Sequence, residues 1–187
     1  DIRGQRKETE PQHFVNIPLD SNDYIADRDC PKGCIITAIA ENRKALRDST
    51  TPFAERAEAL RFLIHFMGDL HQPLHVEEDH GDKGGNTIQV DFLGRSRNFH
   101  QIWDQDLIEA RDLSEDAFVT ELESRLKSMD LRKMHAGTLG DCAHEEHALA
   151  PRSDALTLPT PHVHQRSNTP HTKDPDTVLT STAQAHH

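Results

Sequence analysis

Aromatic residues, cysteines and long apolar runs are scarce in this chain. Its 187 residues include seven Phe, one Tyr, one Trp and three Cys. Because no run of 18 apolar residues occurs, we expect no membrane span. With 34% hydrophobic residues, the chain can form one modest core, and nothing in it requires a second.

Basic residues are also few. The chain has 21 Lys and Arg against 32 Asp and Glu, a formal net charge of −11. That balance argues against a protein that holds duplex nucleic acid through a broad basic surface. It leaves phosphate chemistry open, because divalent cations bound in a cleft supply positive charge that a side-chain count misses.

The few cysteines do not define a compartment by themselves. Cys30 and Cys34 flank a short turn, and their spacing suits either a small disulfide or two free thiols. The chain opens at Asp1 rather than Met, so we expect a processed protein or a fragment.

Histidines and carboxylates concentrate in two short stretches. Residues 65–75 read HFMGDLHQPLH, and residues 100–104 read HQIWD. His65 and Asp69 are four residues apart, as are His100 and Asp104, so on a helix each pair shares one face and can hold a cation. Histidines that serve only the structure are the alternative.

The surroundings of the first pair strengthen the metal interpretation. Apolar residues fill the sequence around it, which predicts a helix over residues 54–71 that is buried nearly all round. An unpaired carboxylate or imidazole there would be costly. Pro73 cannot extend the helix, so we expect His75 on the turn beyond, near the same pocket.

The remaining patterns predict a mainly helical, all-α fold with a short β-hairpin or strand near residues 87–97. A helix is expected over 35–47, another should carry His100 and Asp104, and a third should follow Ser114. On the last of these, the apolar residues predict an inner face. These residues are Phe118, Leu122 and Leu126.

Two regions near the C-terminus carry further histidines. Residues 144–147 read HEEH, which is not the zinc-protease motif, and we expect a solvated polar face there. The segment 151–187 holds five prolines, seven threonines and five histidines but no aromatic residue, which predicts a disordered tail. The folded domain is therefore expected over residues 1–150.

Several motifs in fixed order resemble the S1/P1 nuclease family, its bacterial members most closely. They are HFVNIP at 13–18, Asp29-Cys30 with Cys34, the stretch 65–75, Gly84-Gly85-Asn86 and NFHQIWD at 98–104. The resemblance continues more weakly through residues 137–150 and covers about residues 1–150. The tail beyond does not match.

The resemblance implies a helical bundle like those of phospholipase C and P1 nuclease, with a three-zinc cluster. It implies hydrolysis of single-stranded DNA and RNA to 5′-phosphorylated products, and action on 3′-nucleotides. By position, one zinc would be held by His13, His65 and Asp69, the last also bridging and catalytic. A second would be held by His75, His100 and Asp104.

The same resemblance implies how substrate is bound. Arg3 matches a catalytic arginine near the scissile phosphate, and Phe14 an aromatic on which a base stacks. Asn16 stands where fungal members have an aspartate that bonds the base. Gly84 and Gly85, followed by Asn86, would let the backbone approach a ligand. Ordinary core packing for Phe14 and a plain surface turn at the glycines are the alternatives.

Two departures from the family pattern limit these expectations. The N-terminal tryptophan, histidine and aspartate that complete the family's zinc sites have no counterpart here, so one or two zincs are expected, with impaired activity. The alternatives are a phospholipase C-like hydrolase and a non-catalytic zinc-binding remnant. We expect a secreted or periplasmic monomer whose substrates are single-stranded nucleic acid and 3′-nucleotides.

Overall fold

The computed structural model describes residues 6–134 and 136–150, and helices dominate these ranges. Its first four helices are α1 (Lys7–His13, a 3-10 helix), α2 (Ala26–Asp29), α3 (Ile35–Arg47) and α4 (Phe53–Leu70). Next comes α5, which joins an α-helical Phe99–Gln101, a π-helical Ile102–Asp106 and an α-helical Leu107–Glu109. The last three are α6 (Glu115–Ser128), α7 (Leu131–Met134) and α8 (Leu139–His147).

The predicted all-α fold is confirmed, and α3 has the predicted bounds. The helix expected over 54–71 begins and ends one residue earlier. The side chain of Ser114 caps α6 by accepting a hydrogen bond from the Ala117 amide, as its position before the helix predicted. Arg3 and the segment 151–187 lie outside the described residues, so the expected tail stays a prediction.

Two short sheets complete the described part of the chain. In one, β1 (Ile17–Pro18) and β2 (Glu77–Glu78) are parallel. In the other, β3 (Gln89–Phe92) and β4 (Arg95–Asn98) form the predicted antiparallel hairpin. Leu93 and Gly94 both have positive φ angles, 52° and 76°. Such angles suit a two-residue turn that matches the twist of its strands.

The main core lies between α3 and α4. Burial of apolar side chains there removes them from water and holds the two helices together. The segment following α1 and the inner face of α8 close this core. Its buried side chains include Val15, Ile17, Ile35, Ile39, Phe62, Phe66, Leu70, Val76 and Ala143.

The prediction that α4 is buried nearly all round is wrong. Ala59, Phe62, Phe66 and Leu70 are buried, but Ile64 is 69% exposed. Sequence periodicity marked both sides as apolar, whereas α4 packs against neighbours mainly along one face within the described residues. The buried face determines which side of α4 points toward the core and which side points toward solvent.

Two predictions about the later helices are also wrong. On α6, Leu122 and Leu126 are 47% and 49% exposed, because no described element covers the expected inner face. On α8, the expected solvated face is partly interior, since Glu146 and His147 are 2% and 4% exposed. Nε2–H of His147 donates to the carbonyl of Ser21, which satisfies one of the two nitrogens of the buried ring.

The open question about the cysteines is resolved. Cys30 and Cys34 form a disulfide, and Cys142 is a free thiol. The bridge lies just before α3, where Cys34 is the N-cap residue. None of the helices in ranges 6–134 and 136–150 combines the length and apolar character that a bilayer crossing requires.

Candidate metal centre and adjoining cleft

The end of α4 carries two of the predicted ligands. Phe66 is fully buried on one face of this helix, which fixes the direction of its neighbours. Nε2 of His65 lies 3.2 Å from Oδ2 of Asp69, one turn further along. The spacing of four residues therefore produces the shared face that the sequence predicted.

His13 reaches the same carboxylate from the end of α1. Its ring is 1% exposed and packs edge-on against Phe66, with 5.0 Å between ring centroids. Nδ1 of His13 lies 2.8 Å from Oδ2 of Asp69 and 3.0 Å from Nε2 of His65. We call His13, His65 and Asp69 the first ligand set.

A second group forms just beyond α4. Pro73 begins a 3-10 turn, Pro73–His75, which buries His75. Nε2 of His75 lies 3.1 Å from Nε2 of His100 and 3.4 Å from Oδ1 of Asp104. Within α5, Nε2 of His100 lies 3.3 Å from Oδ2 of Asp104. We call His75, His100 and Asp104 the second ligand set.

The hydrogen bonds to Nδ1 of His75 and His100 indicate that the second set requires a cation. Nδ1–H of His75 donates to the carbonyl of His13 over 2.7 Å, and Nδ1–H of His100 donates to the carbonyl of Gly84 over 2.7 Å. In neutral rings of this tautomer, each Nε2 carries a lone pair. Two lone pairs facing each other at 3.1 Å repel unless a cation lies between them.

The spacing of the donor atoms fits zinc. A tetrahedral zinc with bonds of about 2.0–2.1 Å requires ligand atoms about 3.3–3.4 Å apart. In the second set the separations are 3.1, 3.3 and 3.4 Å. In the first set they are 2.8, 3.0 and 3.2 Å, slightly tighter. Both groups of one carboxylate and two imidazoles could hold a metal ion.

The two sets adjoin through Asp69 and His75. Oδ1 of Asp69 lies 3.9 Å from Nδ1 of His75, while Oδ2 faces the first set. The carbonyl that orients His75 belongs to His13, a member of the first set. The sets therefore form one centre, in which Asp69 is the carboxylate that contacts residues of both.

The surroundings of the second set favour an anionic carboxylate. Burial acts to raise the pKa of Asp104, but the neighbouring imidazoles of His100 and His75 and the hydrogen bond from Gln72 outweigh it and hold that pKa well below its usual range. For His75, burial acts to lower the pKa, but Asp104 and Asp69 raise it above its ordinary value. Both shifts indicate that the carboxylates of Asp69 and Asp104 favour positive charge at this position.

A cleft of about 530 Å³ opens beside both sets. Of the predicted metal ligands, His13, His75 and His100 line it. Four of the predicted substrate-binding residues also line it, which are Phe14, Asn16, Gly84 and Asn86. Phe14 is partly exposed and lines the cleft, where a stacking base could reach it.

The glycine pair has a structural role that the sequence did not reveal. A Cβ on Gly84 would lie 2.2 Å from the carbonyl oxygen of Leu74, and one on Gly85 would lie 2.9 Å from Cδ1 of Phe99. Both glycines are buried, so the surface-turn alternative is wrong. Their close approach is to the protein's own chain, and it brings the Gly84 carbonyl to His100.

Sequence reasoning missed two residues that organise this centre. Asp82 accepts hydrogen bonds from the amides of Gly84 and Gly85, at 3.0 and 2.8 Å, and so shapes the loop behind His100. Gln72 donates to Asp104. An aspartate two residues before a glycine pair is a turn signal that could have identified the first; nothing local identifies the second.

Lys83 was also missed. It lines the cleft, where the other charged residues among the described lining include the acids Glu10, Glu77 and Glu78. Its φ angle is 59°, in the left-handed region that non-glycine residues rarely adopt. Lys83 adds positive charge to a cleft whose other charged side chains are mainly acidic.

A known protein family matches most of the chain. The family model described as S1/P1 Nuclease covers residues 1–170. That range includes every residue of both ligand sets and of the cleft.

Individual relatives support the same match. Nuclease P1 from Penicillium citrinum is 46% identical over 98 residues, 49% of this chain and 35% of that protein. Endonuclease 2 from Arabidopsis thaliana is 42% identical over 113 residues, 54% of this chain and 38% of that protein. Nuclease PA3 from Penicillium sp is 39% identical over 160 residues, 78% of this chain and 58% of that protein. The chain spans less than two thirds of each of these relatives.

Proposed function

This chain belongs to the S1/P1 nuclease family, and on that premise we propose that it is a zinc-dependent phosphodiesterase. Its substrates would be single-stranded DNA and RNA, cleaved to 5′-phosphorylated products, and 3′-nucleotides. The observation that supports this best is the pair of ligand sets beside an open cleft that holds an aromatic side chain.

The ligand sets suit the proposed metal. Zinc would be held by His13, His65 and Asp69 in one position and by the second ligand set in the other. When bound, zinc supplies Lewis acidity toward phosphoryl oxygens and lowers the pKa of water to about 7. Two sets support two zincs, and a third remains an expectation of the family.

The chain's own residues prepare the centre before any substrate arrives. The carbonyls of His13 and Gly84 hold His75 and His100 with their Nε2 atoms toward Asp104. Because these partners fix the ring orientations, little reorganisation is needed when the metal binds.

Substrate binding is proposed for the cleft residues. Phe14 would stack on a base, a contact worth about 1–3 kcal/mol that tolerates any base. Asn16, exposed beside it, can donate to or accept from a base edge. Gly84 and Asn86, with Gly85 between them in the chain, would approach the substrate from the lining of the cleft. Arg3 would bind the phosphate, a proposal that rests on the family resemblance alone.

The proposal extends to organisation and location. Residues 1–150 would belong to the zinc domain, and the family match continues beyond them to residue 170. The Cys30–Cys34 disulfide supports secretion or periplasmic export, because such bridges persist in oxidising compartments. We expect a monomer.

Metal analysis and three substrates test the proposal. The purified chain should contain zinc, cleave single-stranded DNA and dephosphorylate a 3′-nucleotide, and leave phosphatidylcholine intact. Hydrolysis of phosphatidylcholine instead would favour a phospholipase C-like hydrolase. Zinc without turnover of any substrate would favour a non-catalytic remnant, and no zinc above background would overturn the metal centre.

Matched histidine variants connect activity to the site. His100→Ala should lower nuclease activity by at least about 100-fold, because a lost ligand removes several kcal/mol of transition-state stabilisation. His144→Ala changes an exposed histidine of α8 and should leave activity unchanged. Equal activity of the two variants would contradict the proposed site.

A further inference from the structure

Gln72 connects the two segments that carry the second ligand set. Its Nε2 donates to Oδ1 of Asp104 over 2.8 Å. Its Oε1 accepts from the backbone amide of Leu74 over 2.6 Å, which caps the turn that carries His75. One side-chain amide therefore joins the α5 carboxylate to the 3-10 turn.

Asp104 is the ligand that most needs such a partner. The side chains of His75 and His100 are 6% and 12% exposed, and a backbone carbonyl orients each ring. The side chain of Asp104 is 36% exposed and projects from the π-helical part of α5. Without a partner it would sample several rotamers, at a cost in conformational entropy when a metal binds.

The contact with Gln72 selects one orientation of that carboxylate. Oδ1, the atom that Gln72 binds, also lies 3.4 Å from Nε2 of His75. Oδ2 then faces Nε2 of His100 at 3.3 Å. The donor separations that suit zinc therefore depend on where Gln72 holds Asp104.

An amide of this length is the side chain that meets both demands. It must donate to a carboxylate at one atom and accept from a backbone amide at the other. Methionine has a similar length but does neither strongly. Asparagine can still cap a turn, since it is a favoured capping residue, but it is one methylene too short to keep the same reach.

We propose that Gln72 is a positioning residue for the second metal, which fixes the carboxylate of Asp104 relative to the turn that carries His75. The inference rests on the proposed zinc centre. It adds a residue that binds no metal itself and acts through a ligand, as outer partners of metal ligands commonly do.

Zinc titration of the full chain tests this role without relying on activity. Zinc affinity is measured by competition with a chromophoric chelator, and His100→Ala identifies which binding phase belongs to the second set. Gln72→Met should weaken that phase by about 10–100-fold and leave the other unchanged. In the cobalt-substituted protein, the visible absorption of the same site should change.

Two further variants keep the test decisive. Gln72→Asn should weaken the same phase while keeping the cap and the melting temperature, which covers the case in which Gln72→Met folds poorly. Gln105→Met removes the hydrogen bond that Gln105 donates to Glu109 on the exposed side of α5 and should change neither phase.

The outcomes separate this inference from the proposed function. If the wild-type chain binds no zinc, the metal centre itself is wrong, and the role of Gln72 falls with it. If the wild-type chain binds zinc but Gln72→Met and Gln72→Asn match it within twofold, only the role of Gln72 is overturned. Loss in Gln72→Met but not in Gln72→Asn would assign the effect to the turn cap and also overturn the proposal.

Discussion

The two ligand sets contain the same residue types but are supported differently. Every member of the second set has a partner outside the set: the His13 carbonyl, the Gly84 carbonyl and the Gln72 amide. In the first set, contacts of 2.8, 3.0 and 3.2 Å join the two imidazoles and the carboxylate to one another. Nε2 of His13 has a distant neighbour in Thr9 Oγ1, at 3.4 Å.

The difference follows from how each set is assembled. The second set comes from residues 75–104, and the carbonyls behind its two rings belong to Gly84 in the glycine loop and to His13 at the end of α1. The first set comes from α1 and α4, which apolar packing around Phe66 holds together. Hydrogen-bonded support fixes ring orientation directly, whereas packing fixes only the helices that carry the ligands. We therefore expect the second set to bind zinc more tightly.

The largest loss of activity is expected at Asp69, which contacts residues of both sets. Asp69→Asn removes the anionic charge from the first set and from its neighbour His75. Nuclease activity should fall by roughly 1,000-fold, equivalent to about 4 kcal/mol of transition-state stabilisation. Metal analysis should find zinc retained only in the second set. Activity within tenfold of the wild type would mean that the sets act independently.

Two glycines of one loop, Gly84 and Gly81, test whether the Gly84 carbonyl supports the second set. Gly84→Ala would place a Cβ 2.2 Å from the Leu74 carbonyl and displace the carbonyl that orients His100. Zinc affinity at the second set should fall by about 10–100-fold. Gly81 also has a positive φ, 86°, but open space around its Cβ position, so Gly81→Ala imposes backbone strain without the clash. Similar zinc affinities for the two variants would contradict the role of the Gly84 carbonyl.

A buried carboxylate outside both sets should behave in the opposite way to Asp104. Burial, together with the charge of Glu145, raises the pKa of Glu146 to about 8. The folded chain then holds a proton that the unfolded chain releases above about pH 4.5, so the free energy of unfolding falls as pH rises from about 4.5 to about 8. Glu146→Gln should melt like the wild type near pH 4, and a few degrees higher near pH 8.5.

Thermal melts at several pH values measure this difference. Glu123→Gln changes an exposed carboxylate of α6 and should follow the wild-type pH profile. If Glu146→Gln also follows that profile, the carboxyl of Glu146 titrates normally, and burial alone does not distinguish it from the ligand carboxylates.

The smallest loss of zinc affinity is expected at Thr9, which faces His13 of the first set. Thr9→Val removes the hydroxyl that faces Nε2 of His13 while keeping the shape of a buried side chain. Because the separation is 3.4 Å, the contact is weak, and zinc affinity at the first set should fall by about twofold to threefold. A loss as large as that of Gly84→Ala would show that the first set also depends on hydrogen-bonded support.

Local features of this centre could be predicted well from the sequence. The spacings of four residues placed His65 beside Asp69 and His100 beside Asp104. Pro73 prevents α4 from continuing, and His75 is buried in the 3-10 turn that begins at Pro73. Such features depend on neighbours along the chain, whose geometry in a helix or turn is nearly fixed. The family motifs added His13 and the cleft residues, which no local pattern connects to α4.

Contacts between distant segments could not be predicted in this way. Periodicity made α4 apolar on two sides, but packing chose the side of Phe66 and left Ile64 exposed. Packing also decided the environment of Glu146 and His147. Their polar sequence predicted exposure to solvent, but the orientation of α8 buries both side chains.

The sequence by itself determined the ligand types, their pairing on helices and the breaks between elements. Only the tertiary structure decided that the carbonyls of His13 and Gly84 lie behind two rings, and that the Gln72 amide holds Asp104. The physical reason is that a hydrogen bond across 16 to 62 residues depends on how the intervening elements pack, which no short window of sequence specifies.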